Sequence, residues 1–225
     1  MEKELWTAVD QYTTDRLLPR DPALDAALKA SEAAGLPSIS VSPSQGKMLM
    51  LLAQLAGASR ILEIGTLGGY SSIWLARALK PGGRLITLEA NPKHAEVARA
   101  NIAHAGFASV VELRLGDARA GIQQLVAEGA APFDLIFIDA DKSGIPHYVE
   151  WSLKLSHRGT LIIVDNVIRD GALIDDKNED PNVKGARRLH EMLATDLRLS
   201  ATTIQTVGSK GYDGFTLALV TMDVT

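Results

Sequence analysis

Five strand-like runs in this chain end on polar or acidic residues. The first leads into Glu63-Ile64-Gly65-Thr66-Leu67-Gly68-Gly69-Tyr70-Ser71, and the second ends at Glu89, with Ala90 after it. The others lead into Gly116-Asp117-Ala118, Asp139-Ala140-Asp141-Lys142 and Asp165-Asn166. A single residue of this kind is commonly a helix cap. Five in succession point instead to a ligand cleft. Asp139, Asp165 and Asn166 offer two carboxylates and an amide, all hard oxygen donors. Such a set suits magnesium, or manganese or calcium, and suits zinc poorly. Capping explains Asp165-Asn166 badly, because the run before it is entirely apolar and no strong helix pattern starts there. Lys142 stands three residues after Asp139. A lone loop lysine is usually a surface charge. Beside a metal and a cleft, it becomes a candidate general base next to Asp139.

The glycine turn narrows the ligand. A dinucleotide turn needs G-x-G-x-x-G, so that backbone can approach a pyrophosphate. Counted from Gly65, the second and third glycine positions are Leu67 and Tyr70, so the pattern fails. Glu63, at the start of the turn, would repel phosphate and attract an ammonium. The expected ligand therefore carries a nucleoside and a cationic group, and S-adenosylmethionine has both. Glu89, 20 residues beyond Gly69, can accept hydrogen bonds from both ribose hydroxyls. Asp117-Ala118 would flank the adenine.

These residues need elements to hold them. Helices are expected over 5–18, 22–34 and 43–56, the last opened by Ser42 as cap and Pro43 at its first position. Strands at 60–64, 84–89, 110–115, 133–138 and 160–164 then alternate with helices at 71–79, 92–105, 119–127 and 145–155. That alternation is the signature of a parallel sheet with helices on both faces. In such sheets ligands bind beyond the carboxyl ends of the strands. A helix at about 183–194 precedes strands at 201–207 and 215–221. A loop at 208–214 would join these two as an antiparallel pair on the sheet edge. The acidic stretch 170–181 reads equally as a lid or as a solvated excursion.

The five histidines read as structural or surface groups. His94, His104 and His190 fall on polar helix faces. His147 and His157 lie nearer the cleft, without a spacing such as H-E-x-x-H. Ser40, Ser42 and Ser44 lack the G-x-S-x-G context of a hydrolase.

Composition excludes other classes. The chain has 225 residues, 46% of them hydrophobic, and no cysteine. Disulfides, zinc–thiolate sites, iron–sulfur clusters and cysteine nucleophiles are therefore absent. The net charge of −4 argues against a nucleic-acid partner. The polar start Met1-Glu2-Lys3-Glu4 does not look like a secretory signal. The longest apolar stretch, Met48 to Ala58, is far short of the roughly 20 residues that span a bilayer. No membrane partner and a cytoplasmic location are expected.

Ile61-Leu62-Glu63-Ile64-Gly65-Thr66 with Gly69-Tyr70-Ser71 resembles the cofactor motif of class I methyltransferases. Phe137-Ile138-Asp139-Ala140-Asp141-Lys142, followed by Val164-Asp165-Asn166-Val167, is more specific. It resembles the cation-dependent O-methyltransferases, the group of the caffeoyl-CoA and catechol enzymes. Ser42-Pro43-Ser44-Gln45-Gly46 and Asp213-Gly214-Phe215-Thr216-Leu217 are similar to the same family. The resemblance implies cofactor contacts at Val41, Glu63, Gly65, Ser71, Glu89, Ala118 and Asp139, to which Ala90 and Asp117 are added. It implies metal ligation by Asp139, Asp165 and Asn166, and Lys142 as catalytic base with Asp139 beside it. It also implies an aromatic vicinal diol as acceptor, a Rossmann-like seven-stranded sheet with its last strand antiparallel, and a homodimer. Three positions depart from the family. Arg169 stands where an aromatic residue often follows the Asp-Asn pair. Asp141 replaces the tryptophan beside the lysine of the catechol enzyme, and Val41 replaces a threonine of the plant enzymes. These departures bear on the acceptor, and the acid-rich 170–181 stretch disfavours a polyanionic CoA ester.

A single domain over 1–225 is expected. Residues 1–58 would form helices serving the acceptor site and dimer contacts, and 59–225 the cofactor and metal core. The competing readings are an NAD-dependent oxidoreductase, disfavoured by the missing glycines, and a catalytically silent nucleoside-binding module, disfavoured by the intact Asp139, Lys142, Asp165 and Asn166.

Overall fold

The computed structural model describes residues 2–223, so Met1, Val224 and Thr225 of the expected domain lie outside the described residues. Three helices come first: α1 (Glu2–Leu17), α2 (Pro22–Ala33) and α3 (Pro43–Leu55). Strands and helices then alternate through β1 (Arg60–Ile64), α4 (Tyr70–Ala76), β2 (Arg84–Glu89), α5 (Pro92–His104), β3 (Val111–Leu115) and α6 (Ala118–Ala127). The chain continues with β4 (Phe133–Ile138), α7 (Ile145–Lys154), β5 (Ser156–Asp165), α8 (Pro181–Thr195), β6 (Leu199–Gly208) and β7 (Gly211–Val220). Short polar caps start several helices. Asp21, Ser42, Asn91 and Asp180 each accept a backbone N–H of the next turn, and each is followed by proline, which suits the first helical position.

The seven strands form one sheet in the order β3-β2-β1-β4-β5-β7-β6. The first five are parallel, and β7 pairs antiparallel with both β5 and β6. Side chains alternate across the sheet. Leu62, Ile64, Ile136, Ile138 and Val164 pack on one face with Ile122, Leu125 and Val149 of α6 and α7. Ile61, Leu135, Phe137 and Ile163 pack on the other with Leu49, Ile73 and Ala98 of α3, α4 and α5. Both faces are covered, as parallel strands of near-continuous apolar sequence require.

Two elements differ from expectation. Strand β5 begins at Ser156 rather than Thr160, because Ser156 already pairs with Phe133 and the chain then bulges before Leu161 pairs with Leu135. The β6–β7 loop is much tighter than 208–214, since the strands pair down to Gly208↔Gly211 and leave only Ser209-Lys210 as the turn. The sequence Asp213-Gly214 resembles a turn but does other work. A Cβ on Gly214 would lie 2.3 Å from the Ile204 carbonyl oxygen, so this glycine permits close strand packing. The Asp213 carboxylate accepts the backbone N–H groups of Ile168 and Arg169, at 2.9 and 3.0 Å.

Helix α1 packs on β6 and α3, and none of its described residues is buried. Leu5, Val9, Tyr12 and Leu17 are each more than half exposed. Among the described residues, no helix is long and apolar enough to cross a membrane.

Candidate active site

The carboxyl ends of β1 to β5 open into one cavity of about 850 Å³. Its floor is the contact between the ends of β1 and β4. Gly65 has φ +101°, and a Cβ there would lie 2.3 Å from the Asp139 carbonyl oxygen. Glycine is required here by backbone meeting backbone. Gly65 and Ser71 line the cavity on the β1 side, Glu89 and Ala90 at the end of β2, and Asp117 and Ala118 after β3. Val41 enters from the α2–α3 connection, Asp139 and Lys142 follow β4, and Asn166 follows β5. Glu63 and Asp165 do not reach the wall.

Glu63 sits one layer back, fully buried. Its carboxylate accepts hydrogen bonds from Ser71 (2.6 Å), Thr87 (2.7 Å) and Ser72. Burial pushes its carboxyl up to about 7, and the charge on Asp139 adds to this while the hydroxyls oppose it. Its influence reaches the cavity through the Ser71 hydroxyl. Glu89 is 8% exposed and firmly held. Its Oε2 accepts the N–H groups of Leu67 (2.8 Å) and Thr66 (3.2 Å), and its Oε1 accepts that of Asn91 (2.9 Å). His94 Nδ1 lies 3.5 Å from the same Oε1 and lines the cavity, so this histidine belongs to the site and not to the bare surface. Asp117 also caps α6, accepting the Ala120 N–H at 3.0 Å. Asp141 accepts hydrogen bonds from Tyr148 and Ser143. Burial opposes its ionisation, but these hydrogen bonds hold its carboxyl below the usual range.

At the other end, Lys142 Nζ donates to Asp139 Oδ1 at 2.6 Å. The lysine stands on a 3₁₀ turn, Lys142–Gly144, pressed against α8. A Cβ on Gly185 would come within 2.1 Å of the Lys142 carbonyl oxygen, so only glycine lets α8 back this turn. Asp165 is 4% exposed. Its Oδ2 accepts Gln45 Nε2 at 2.6 Å, and its Oδ1 accepts the Asn166 N–H at 2.8 Å. Burial first, then the nearby Asp139 charge, pushes the Asp165 carboxyl up to about 7. A cation between these groups would relieve that repulsion, and their donors are all hard oxygens. Among the described residues, no three acidic or histidine side chains gather as a metal cage.

Sequence reasoning gave no role to Asn101, Asn182 or Lys210, read His94 as a structural or surface group, and met Gln45 and Arg169 only as a motif match and a departure from the family. Asn101 Nδ2 donates to the carbonyls of Gly68 (2.9 Å) and Ala27 (3.2 Å), tying the glycine turn to α2. Its signal was an amide among Ala95, Ala98 and Ile102 on the buried face of α5. The loop 170–181 contributes nothing to the wall, although its neighbours Arg169 and Asn182 do, which fits the excursion reading.

Sheet order, antiparallel final hairpin and an acid-ended cleft across the strand ends together define the Rossmann-like methyltransferase fold. A family model described as O-methyltransferase matches residues 20–220, and the chain belongs to that family. It is 54% identical to a catechol O-methyltransferase of Niastella koreensis over 220 residues, covering 98% of this chain and 100% of that one. An O-methyltransferase from Bacillus cereus, solved in complex with SAH, superposes with a TM-score of 0.96 at 57% identity, covering 97% of this chain and 99% of the other. The O-methyltransferase TomG from Streptomyces achromogenes, involved in tomaymycin synthesis and solved with SAM, gives 0.95 at 53% identity, covering 98% and 99%.

Proposed function

We propose that this chain is an S-adenosylmethionine-dependent, divalent-metal-dependent O-methyltransferase acting on a vicinal dihydroxy aromatic small molecule. The observation that carries the reading is one cavity with two kinds of end. Glu89, Asp117 and the Gly65 turn stand at one end, and Asp139, Lys142 and Asn166 at the other, with Asp165 behind. Relatives named as catechol O-methyltransferases and neighbours solved with SAH or SAM support it.

Bound S-adenosylmethionine supplies a sulfonium methyl group that an oxygen nucleophile can take, with S-adenosylhomocysteine leaving. A divalent cation on Asp139, Asp165 and Asn166 supplies positive charge that makes a nearby hydroxyl more acidic. The chain does the rest. Glu89 accepts from the ribose hydroxyls, Val41, Ala90, Asp117 and Ala118 bound the nucleoside, and Gly65 lets the ligand lie against backbone. Ser71, backed by Glu63, faces the amino group. Lys142, in its neutral form, takes the acceptor hydroxyl proton on Nζ, and the wall from Leu36 to Pro43 holds the ring and excludes water. Holding oxygen and methyl in attack geometry is the main source of rate. The open apolar face of α1 supports the expected homodimer.

The test is methyl transfer to a catechol panel with magnesium, then with EDTA. Turnover of a diol that falls at least 100-fold in EDTA and returns with magnesium is expected. Full activity in chelator would remove the metal, and no methylated diol would remove the acceptor class.

A further inference from the structure

Helix α3 opens with Ser42-Pro43-Ser44-Gln45, the S-x-x-Q pattern of a capping box. In that motif the first side chain accepts the N–H of the fourth residue, and the fourth side chain turns back to the N–H of the first. The first half is present, since Ser42 Oγ accepts the Gln45 N–H at 3.2 Å. The second half is replaced. The Gln45 side chain runs out to the end of β5, where its Nε2 donates to Asp165 Oδ2 at 2.6 Å. A local motif that gives way in this manner marks a functional contact.

The contact is built from both sides. Asp165 follows Ile163 by two residues on β5, so its side chain projects to the sheet face on which Ile163 packs with Leu49 of α3. On α3, a Cβ at Gly46 would lie 2.3 Å from Trp74 Cδ1, so a glycine beside Gln45 lets this turn seat closely on α4. Asp165 is 4% exposed, and its other oxygen, Oδ1, accepts the Asn166 N–H at 2.8 Å. Among the described residues, no side chain other than Gln45 hydrogen-bonds to this carboxylate. A carboxylate oxygen can accept twice, so one amide donor on Oδ2 fixes the rotation of the group and leaves room for a further partner. The donor is also neutral. A lysine or arginine in its place would cancel the charge that a cation needs, whereas an amide orients the carboxylate and leaves that charge intact.

We propose that Gln45 is a positioning residue of the cation site, whose amide holds the Asp165 carboxylate in the orientation that binds a divalent cation together with Asp139 and Asn166. This rests on the function proposed above. Without Gln45, Asp165 keeps its charge, but only the N–H of its own neighbour restrains rotation about its Cβ–Cγ bond. The loss falls on cation affinity, because the Gln45 side chain acts through Asp165.

The experiment uses manganese as the probe and the full chain throughout. Binding is read by calorimetry and by loss of the free-ion electron paramagnetic resonance signal, with Asp165→Asn as the control that removes a ligand charge. Gln45→Met keeps the length of the side chain and removes the donor. It should weaken manganese binding about 10–100-fold, the usual cost of losing a group that orients a metal ligand. Gln45→Asn keeps an amide but falls one methylene short of Asp165, and should show the same loss. S-adenosylhomocysteine affinity, measured without metal, should stay near the wild-type value and checks that each variant folds. In turnover, the magnesium concentration for half-maximal rate should rise by more than kcat falls. Manganese bound by both variants as tightly as by wild type overturns the role of Gln45 and leaves the cation site standing. An equal loss of S-adenosylhomocysteine affinity assigns Gln45 to the packing of α3 and overturns the role as well. No manganese bound by wild type, with turnover unchanged in EDTA, overturns the cation site itself and the role of Gln45 with it.

Discussion

The two ends of the cavity are built differently, and only the second sets lysine and arginine side chains on its wall. The β1–β3 end is acidic, with Glu89 and Asp117 on the wall and Glu63 behind, and each sits within a few residues of a strand end. The β5–β7 end holds Lys142, Arg169 and Lys210, which come from three distant stretches of chain. Asp139 stands beside Lys142 at this second end, with Asp165 behind it. The first end is made by local turns that repeat strand after strand. The second is made by parts that meet only when the hairpin, α8 and the α2–α3 connection pack together. One end is therefore fixed by local sequence, and the other by packing between distant segments.

That division can be broken by experiment. The largest expected effect is at Lys142. Lys142→Ala should lower kcat about 10²–10⁴-fold, the usual range for a positioned acid or base. S-adenosylhomocysteine affinity should stay within about threefold, because Glu89 and the Gly65 turn are untouched. An unchanged kcat would remove Lys142 as the base. An equal loss in affinity would show that the two ends are not separate.

Glu63 offers the next effect, in stability. Its carboxyl is raised from 4.5 to about 7 in the folded chain. The folded state therefore holds this proton more tightly than the unfolded state. Its contribution is fully present below pH 4.5 and is lost as pH rises towards 7, on the order of 3 kcal/mol in total. Urea unfolding of the ligand-free protein at pH 5 and pH 8 should show this loss in wild type relative to Glu63→Gln. Parallel pH profiles for the two proteins would mean that Glu63 is not the buried acid responsible.

The smallest effect sharpens the ribose assignment. Glu89→Gln keeps shape and removes charge, so S-adenosylhomocysteine affinity should weaken roughly tenfold, the worth of a charge-assisted hydrogen bond. KM for the diol should barely move. A variant that binds the cofactor product as tightly as wild type would take the ribose from Glu89.

Much of the fold was legible because strand and helix periods are local. The alternation of runs such as Arg60–Ile64 and Phe133–Ile138 with amphipathic helices led to a parallel sheet, and the failed glycine fingerprint at Leu67 and Tyr70 excluded a dinucleotide. The misreadings share a cause. Asp213-Gly214 has the composition of a turn, but Gly214 answers to the Ile204 carbonyl across the hairpin. His94 has the spacing of a surface histidine, but the end of β2 brings Glu89 to 3.5 Å from it. Gln45 was legible only as part of the Ser42–Gly46 motif, and its partner Asp165 is 120 residues away.

By itself, the sequence determined which residue types stand at the strand ends, that Asp139, Asp165 and Asn166 offer oxygen donors, and that the Lys142 amine follows three residues after Asp139. These are properties of short segments, set by side-chain chemistry and by spacings of a few residues. Only the tertiary structure decided which of those groups face the cavity. Glu63 and Asp165 lie behind the wall, while His94, Arg169 and Lys210 lie on it. Strand order, the depth of the β6–β7 hairpin and the seating of α8 on Lys142 depend on packing between segments far apart in the chain, which no local pattern encodes.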